Sequence, residues 1–155
     1  MQKSSFPALK YLGLKSAHDA NSDVPVLPGE FLSGSALCLQ EIHLGGIPFP
    51  SLPILLSSTR NLVTLKLGRI PPTGSGYISP EAMVSGLTAL TRLRTLHIVV
   101  QSTNRCPDRI PLPPVIRTPL PALTFFGFHG FSDYLEDVVA RIDCLNSNGT
   151  NIYSC

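Results

Sequence analysis

Residues 60–68 read Arg60-Asn61-Leu62-Val63-Thr64-Leu65-Lys66-Leu67-Gly68, and their apolar frame Leu62-x-x-Leu65-x-Leu67 decides how the chain is read. Leu65 and Leu67 alternate with Thr64 and Lys66, the period of a half-buried strand. The same frame occurs as Leu9-x-x-Leu12-x-Leu14, Leu39-x-x-Ile42-x-Leu44, Leu93-x-x-Leu96-x-Ile98 and Leu123-x-x-Phe126-x-Phe128. Between the middle apolar residues the steps are 30, 23, 31 and 30. A unit of that length holds one strand and one return segment, and neither can bury its apolar face alone. The expected fold is therefore α/β: a leucine-rich-repeat-like solenoid of five irregular repeats. Parallel strands would line its concave side, with short helices or extended segments on the convex side.

The segments between the frames fit that scheme. Pro28-Gly29-Glu30-Phe31-Leu32 reads as a short helix start. Phe49–Ser58 reads as a second helix, with Ser51 at its N-cap and Pro53 in its first turn. Ser79-Pro80-Glu81 opens a third, expected to run to Thr91. Arg69 to Ile78 reads as a Pro/Gly loop. The Pro-rich residues 101–122 predict an extended return segment, because such proline density excludes a helix. Ser132–Ile142 is an amphipathic helix with Leu135, Val138, Val139 and Ile142 on its apolar stripe. These features make residues 1–145 one repeat domain and 146–155 a polar, frayed C-terminal tail.

Composition narrows the function. The 155 residues are 43% hydrophobic and 14% charged, enough to bury a core. Net charge is +2 with no Lys/Arg run, so no nucleic-acid partner is expected. No apolar run approaches roughly 18 residues, so no membrane partner is expected either. The N-terminal Met-Gln-Lys-Ser-Ser-Phe-Pro lacks an apolar signal core, which places the protein in the cytoplasm or nucleus. Cys38, Cys106, Cys144 and Cys155 have no metal-ligand spacing. No phosphate-binding glycine loop, nucleophile elbow or dinucleotide fingerprint is present. The expectation is a non-enzymatic chain with no catalytic residue, cofactor or metal.

Strand side chains alternate, so the residues between the buried ones must share one face. Three columns follow from aligning the frames. The first holds Tyr11, Glu41, Thr64, Thr95 and Phe125. The second holds Gly13, His43, Lys66, His97 and Gly127. The third holds Lys15, Gly45, Gly68, Val99 and His129. From these, Tyr11, Lys15, Glu41, His43, Lys66, Thr95, His97, Phe125 and His129 are the candidate binding residues for a protein partner. His43 and His97 share a column, but two strand spacings of roughly 4.8 Å separate them. Lys66 between them would repel a cation, which argues against a metal.

Several stretches resemble the C-terminal repeat region of fungal F-box proteins with leucine-rich repeats. They are Phe6-Pro7-Ala8-Leu9-Lys10-Tyr11-Leu12-Gly13-Leu14, Asn61–Leu67, Pro80–Leu87 leading into Leu93–Leu96, Leu120–Leu123 and Tyr134–Asp143. In that family an F-box binds a Skp-type adaptor of a cullin-RING ubiquitin ligase, and the repeats select the substrate. No F-box-like segment precedes the first frame here. The resemblance thus implies the substrate-recognition role, with a Skp-type adaptor as partner only if an F-box lies outside this chain. The alternative expectation is a truncated or degenerate repeat fragment with no independent activity.

Overall fold

The computed structural model describes residues 8–16, 37–47, 52–71, 77–101, 117–130, 132–143 and 151–154. The expected helix at Pro28, the Ser51 cap, residues 102–116 of the Pro-rich segment, and Cys106, Cys144 and Cys155 lie outside them.

The frames form strands β1 (Tyr11–Lys15), β2 (Glu41–Gly45), β3 (Thr64–Ile70) and β4 (Thr95–Val100). A short strand β5 (Thr118–Pro119) precedes β6 (Phe125–His129). Helices α1 (Leu52–Ser58), α2 (Pro80–Leu87) and α3 (Ser132–Arg141) follow β2, β3 and β6. Strands β7 (Ile142–Asp143) and β8 (Asn151–Ser154) complete the described chain. The main sheet runs β1-β2-β3-β4-β6-β8, every neighbouring pair parallel. The chain is thus α/β, with three helices among the described residues.

The frames meet in register. Leu12 is opposite Ile42, Ile42 opposite Leu65, Leu65 opposite Leu96, and Leu96 opposite Phe126. Leu14, Leu44, Leu67, Ile98 and Phe128 make the parallel row. From Ile42 onward both rows are buried, together with Leu39, Leu62, Leu93 and Leu123 at the start of each frame. The helices close the core from the far side with Leu52, Leu55 and Leu56 of α1, Met83, Val84 and Leu87 of α2, and Val138 of α3.

The same local geometry leads into β3, β4 and β6. The amides of Leu62, Leu93 and Leu123 donate to the carbonyls three residues earlier, Thr59, Leu90 and Leu120, at 3.1–3.2 Å. One carbonyl then accepts twice from the next strand. Lys10 O takes the amides of Gln40 and Glu41, Gln40 O those of Val63 and Thr64, and Val63 O those of Arg94 and Thr95. Arg94 O takes those of Thr124 and Phe125. A carbonyl has two lone pairs, so the double acceptance pairs both amides as β2, β3, β4 and β6 begin.

Helix starts follow their sequence signals. The Ser79 hydroxyl accepts from the Ala82 amide at 3.1 Å, Pro80 takes the first turn, and Glu81 lies at the positive end of the helix. The expected run to Thr91 is corrected. Helix α2 ends at Leu87 with Thr88 as its C-cap, whose amide donates to Ser85 O at 3.4 Å and whose hydroxyl donates to Ser85 O (2.8 Å) and Val84 O (3.3 Å). The apolar stripe of α3 is also corrected. Val139 is 40% exposed, and Tyr134 takes the inner place. Its ring stacks on Phe128 at 6.0 Å, and its hydroxyl donates to Ile78 O at 2.8 Å, which satisfies the polar end.

Two strand expectations change. Arg69 and Ile70, read as loop, belong to β3. The register slips by one residue between Leu67 and Ile70, so that Ile70 pairs with Val100. Arg69 absorbs the extra residue at φ 56°. This bulge breaks the third column, in which Gly68 does not pair with Val99. The 146–155 stretch, expected as a frayed tail, carries β8, which adds to β6 with Ile152 opposite Phe126. On the return side, β5 pairs with β7 in parallel, an extended segment as the prolines implied.

Candidate functional site

The outer face of the sheet, opposite the helices, holds the candidate residues in the expected columns over β1 to β6. Tyr11 is opposite Glu41, Glu41 opposite Thr64, Thr64 opposite Thr95, and Thr95 opposite Phe125. In the second column Gly13, His43, Lys66, His97 and Gly127 pair in the same sequence. In the third, Lys15 pairs with Gly45, Gly45 with Gly68, and Val99 with His129, with the interruption at the bulge. Tyr11, Lys15, Glu41, Lys66 and His129 are exposed, and His43, Thr95, His97 and Phe125 are half-buried.

The two outer glycines of the second column are beds for rings. A Cβ on Gly13 would lie 2.6 Å from the Tyr11 hydroxyl, because the Tyr11 ring crosses that position toward β2. The ring meets His43 edge-on at 5.1 Å between centroids, and its hydroxyl is 3.3 Å from His43 Nδ1. At the other end, a Cβ on Gly127 would lie 2.5 Å from His97 Cδ2 and 3.1 Å from Phe125 Cε1. His97 and Phe125 thus share the space over Gly127, leaving that glycine buried. Lys66 stands exposed between the two imidazoles.

Electrostatics follow from that row. Burial is the first cause holding the His43 imidazole below its ordinary value, and the neighbouring Lys66 ammonium is the second. The Glu41 carboxylate, 3.8 Å from Nε2, pushes the other way and is outweighed. Burial, then Lys66, then His129 lower His97 in the same manner. Both rings are therefore neutral at pH 7, and the row carries one fixed charge, on Lys66.

This arrangement makes stability depend on pH. The folded chain binds fewer protons at His43 and His97 than the unfolded chain does, so stability rises with pH where they titrate. Their contribution is complete above about pH 6.5, the unfolded value, and is lost as pH falls toward the lowered folded values. Urea denaturation is expected to show a lower midpoint at pH 5 than at pH 7.5. The difference should shrink in the double variant His43→Gln, His97→Gln.

Sequence reading missed Arg69. It stood beside Pro71-Pro72 and was read as loop. Its one signal is Ile70, an apolar residue one place off the alternation of Leu65 and Leu67. The Arg69 chain lies over the end of β2, its Cδ 3.6 Å from where a Cβ on Gly46 would be.

Compared with known proteins, the chain matches no family model, no curated protein and no solved structure.

Proposed function

We propose that the chain is a leucine-rich-repeat-like protein-interaction module that grips its partner on the outer, concave face of the sheet. The observation that carries this reading is the in-register stacking of the frames. It sets Tyr11, Glu41, His43, Lys66, His97 and Phe125 side by side on one continuous surface. Aromatic rings beside isolated charges suit a protein interface, in which a few anchors supply most of the binding energy. The resemblance to F-box repeat proteins refines the role to substrate recognition for a ubiquitin ligase. A Skp-type adaptor would enter only through an F-box outside this chain. On this reading the protein is not an enzyme and works in the cytoplasm or nucleus. Among the described residues no helix is long and apolar enough to cross a membrane.

The test is affinity capture with the wild-type chain and with the triple variant Tyr11→Ala, Lys66→Ala, Phe125→Ala. The triple variant is expected to lose specific partners by tenfold or more, as removal of interface anchors does at about 1 kcal/mol or more each. Unchanged recovery would remove the face from consideration.

A further inference from the structure

The net charge of +2 hides a segregation of charge. Among the described residues, the helices and β7 carry the acids Glu81, Asp133, Glu136, Asp137 and Asp143. Their one cation, Arg141, is 3.0 Å from Glu81. The outer face of the main sheet carries Lys15, Lys66 and Arg69 against one acid, Glu41, among the described residues. Among the described residues the outer face thus has an excess of positive charge, although the protein as a whole is nearly neutral.

Two of these cations converge. Lys15 comes from β1 and Arg69 from β3, and both stems lie over the end of β2. A Cβ on Gly45 would be 3.3 Å from Lys15 Cγ, and one on Gly46 would be 3.6 Å from Arg69 Cδ. A side chain at 45 would press on the Lys15 stem, and one at 46 would meet the Arg69 stem in ordinary contact. Plain alternation after Leu65 and Leu67 would send residue 69 into the core. The bulge instead leaves Arg69 exposed and gives the buried place to Ile70. Among the described residues neither Lys15 nor Arg69 makes an ion pair. Like charges gathered at one strand end, with no counter-ion among the described residues, suit an anion.

We infer that the partner presents an extended acidic segment, laid across the strands with one carboxylate at Lys66 and another at the Lys15–Arg69 pair. This rests on reading the outer face as a protein-binding surface. Tyr11 on β1 and Phe125 on β6 bracket the strip, four strand spacings apart, or roughly 19 Å. An extended peptide covers that span with about six residues. A nucleic acid fits less well, because Glu41 lies within the strip and the cations do not track a continuous phosphate run.

The test is selection of a displayed library of random eight-residue peptides on the full chain. The recovered peptides are then measured on variants whose melting matches wild type. Selected peptides are expected to be rich in Asp and Glu. Lys66→Glu and Arg69→Glu should weaken them about tenfold or more, and Glu136→Lys on α3 should leave them unchanged. Neutral or basic peptides that lose binding with Tyr11→Ala or Phe125→Ala would overturn the acidic partner and leave the binding face standing. Peptides indifferent to every outer-face substitution, or an empty selection, would overturn both. A single-stranded oligonucleotide that displaces the peptides and binds more tightly than they do would replace the acidic segment with a nucleic acid.

Discussion

Leu96→Ala is expected to lower the free energy of unfolding by about 2–5 kcal/mol in urea denaturation, the range for a large-to-small change in a packed interior. Leu96 is fully buried. It stands on β4 at the middle of the sheet, with Leu65 opposite on one side and Phe126 on the other. The flanking strands and the helices behind them hold the surrounding side chains in place, so the space left by the removed carbons cannot collapse easily. Leu12 occupies the equivalent place on β1, where the described sheet ends, and it is partly buried. Leu12→Ala is expected to cost about 1–2 kcal/mol, since less apolar area leaves water there on folding. Equal losses at the two positions would mean that the frames do not share one graded core.

Gly130→Ala is expected to destabilise the chain by about 2–4 kcal/mol, combining a backbone and a packing cost. Gly130 follows β6 and precedes α3, and its φ of 152° is one that L side chains rarely adopt. A Cβ there would also lie 3.0 Å from Val100 Cβ and 3.2 Å from Val100 O. The second of these is backbone in the neighbouring strand and cannot swing aside. Gly68→Ala is the matched control. A Cβ on Gly68 would find Leu44 O at 3.6 Å, ordinary contact, with no unusual φ. A change within about 0.5 kcal/mol is expected there. A tolerated Gly130→Ala would show that the turn from β6 into α3 has another conformation open to it.

The strands and their register were legible because the frame is strict. Leucine, isoleucine or phenylalanine recurs at the same three places, and the residues between them are polar or glycine except Val63 and Phe125. Alternation alone then assigns each side chain to a face, and the first two outer columns follow without further information. The bulge was not legible. One inserted residue leaves no mark except the displaced Ile70, and the prolines after it read as loop. Strand β8 escaped for a related reason. Ile152 lies 26 residues after Phe126, a fitting step, but the flanking frame positions are Gly149 and Ser154. Tyr134 was overlooked because a tyrosine is a poor core residue until something accepts its hydroxyl hydrogen. Here that acceptor is the carbonyl of Ile78, 56 residues earlier. The Tyr11–His43 ring contact, the packing of His97 over Gly127 and the convergence of Lys15 with Arg69 are relations between strands, and single-strand patterns do not contain them.

Methyl NOE spectroscopy on selectively labelled Leu and Ile tests the stacked frames most directly. The account predicts cross-peaks from Leu65 to both Ile42 and Leu96, and from Leu67 to both Leu44 and Ile98, as parallel strands in register require. Antiparallel strands would cross these pairings, joining Leu65 to Leu44 or Ile98 while Leu67 meets Ile42 or Leu96. That crossed pattern, or contacts confined to each frame, would contradict the parallel sheet and dissolve the outer face with it.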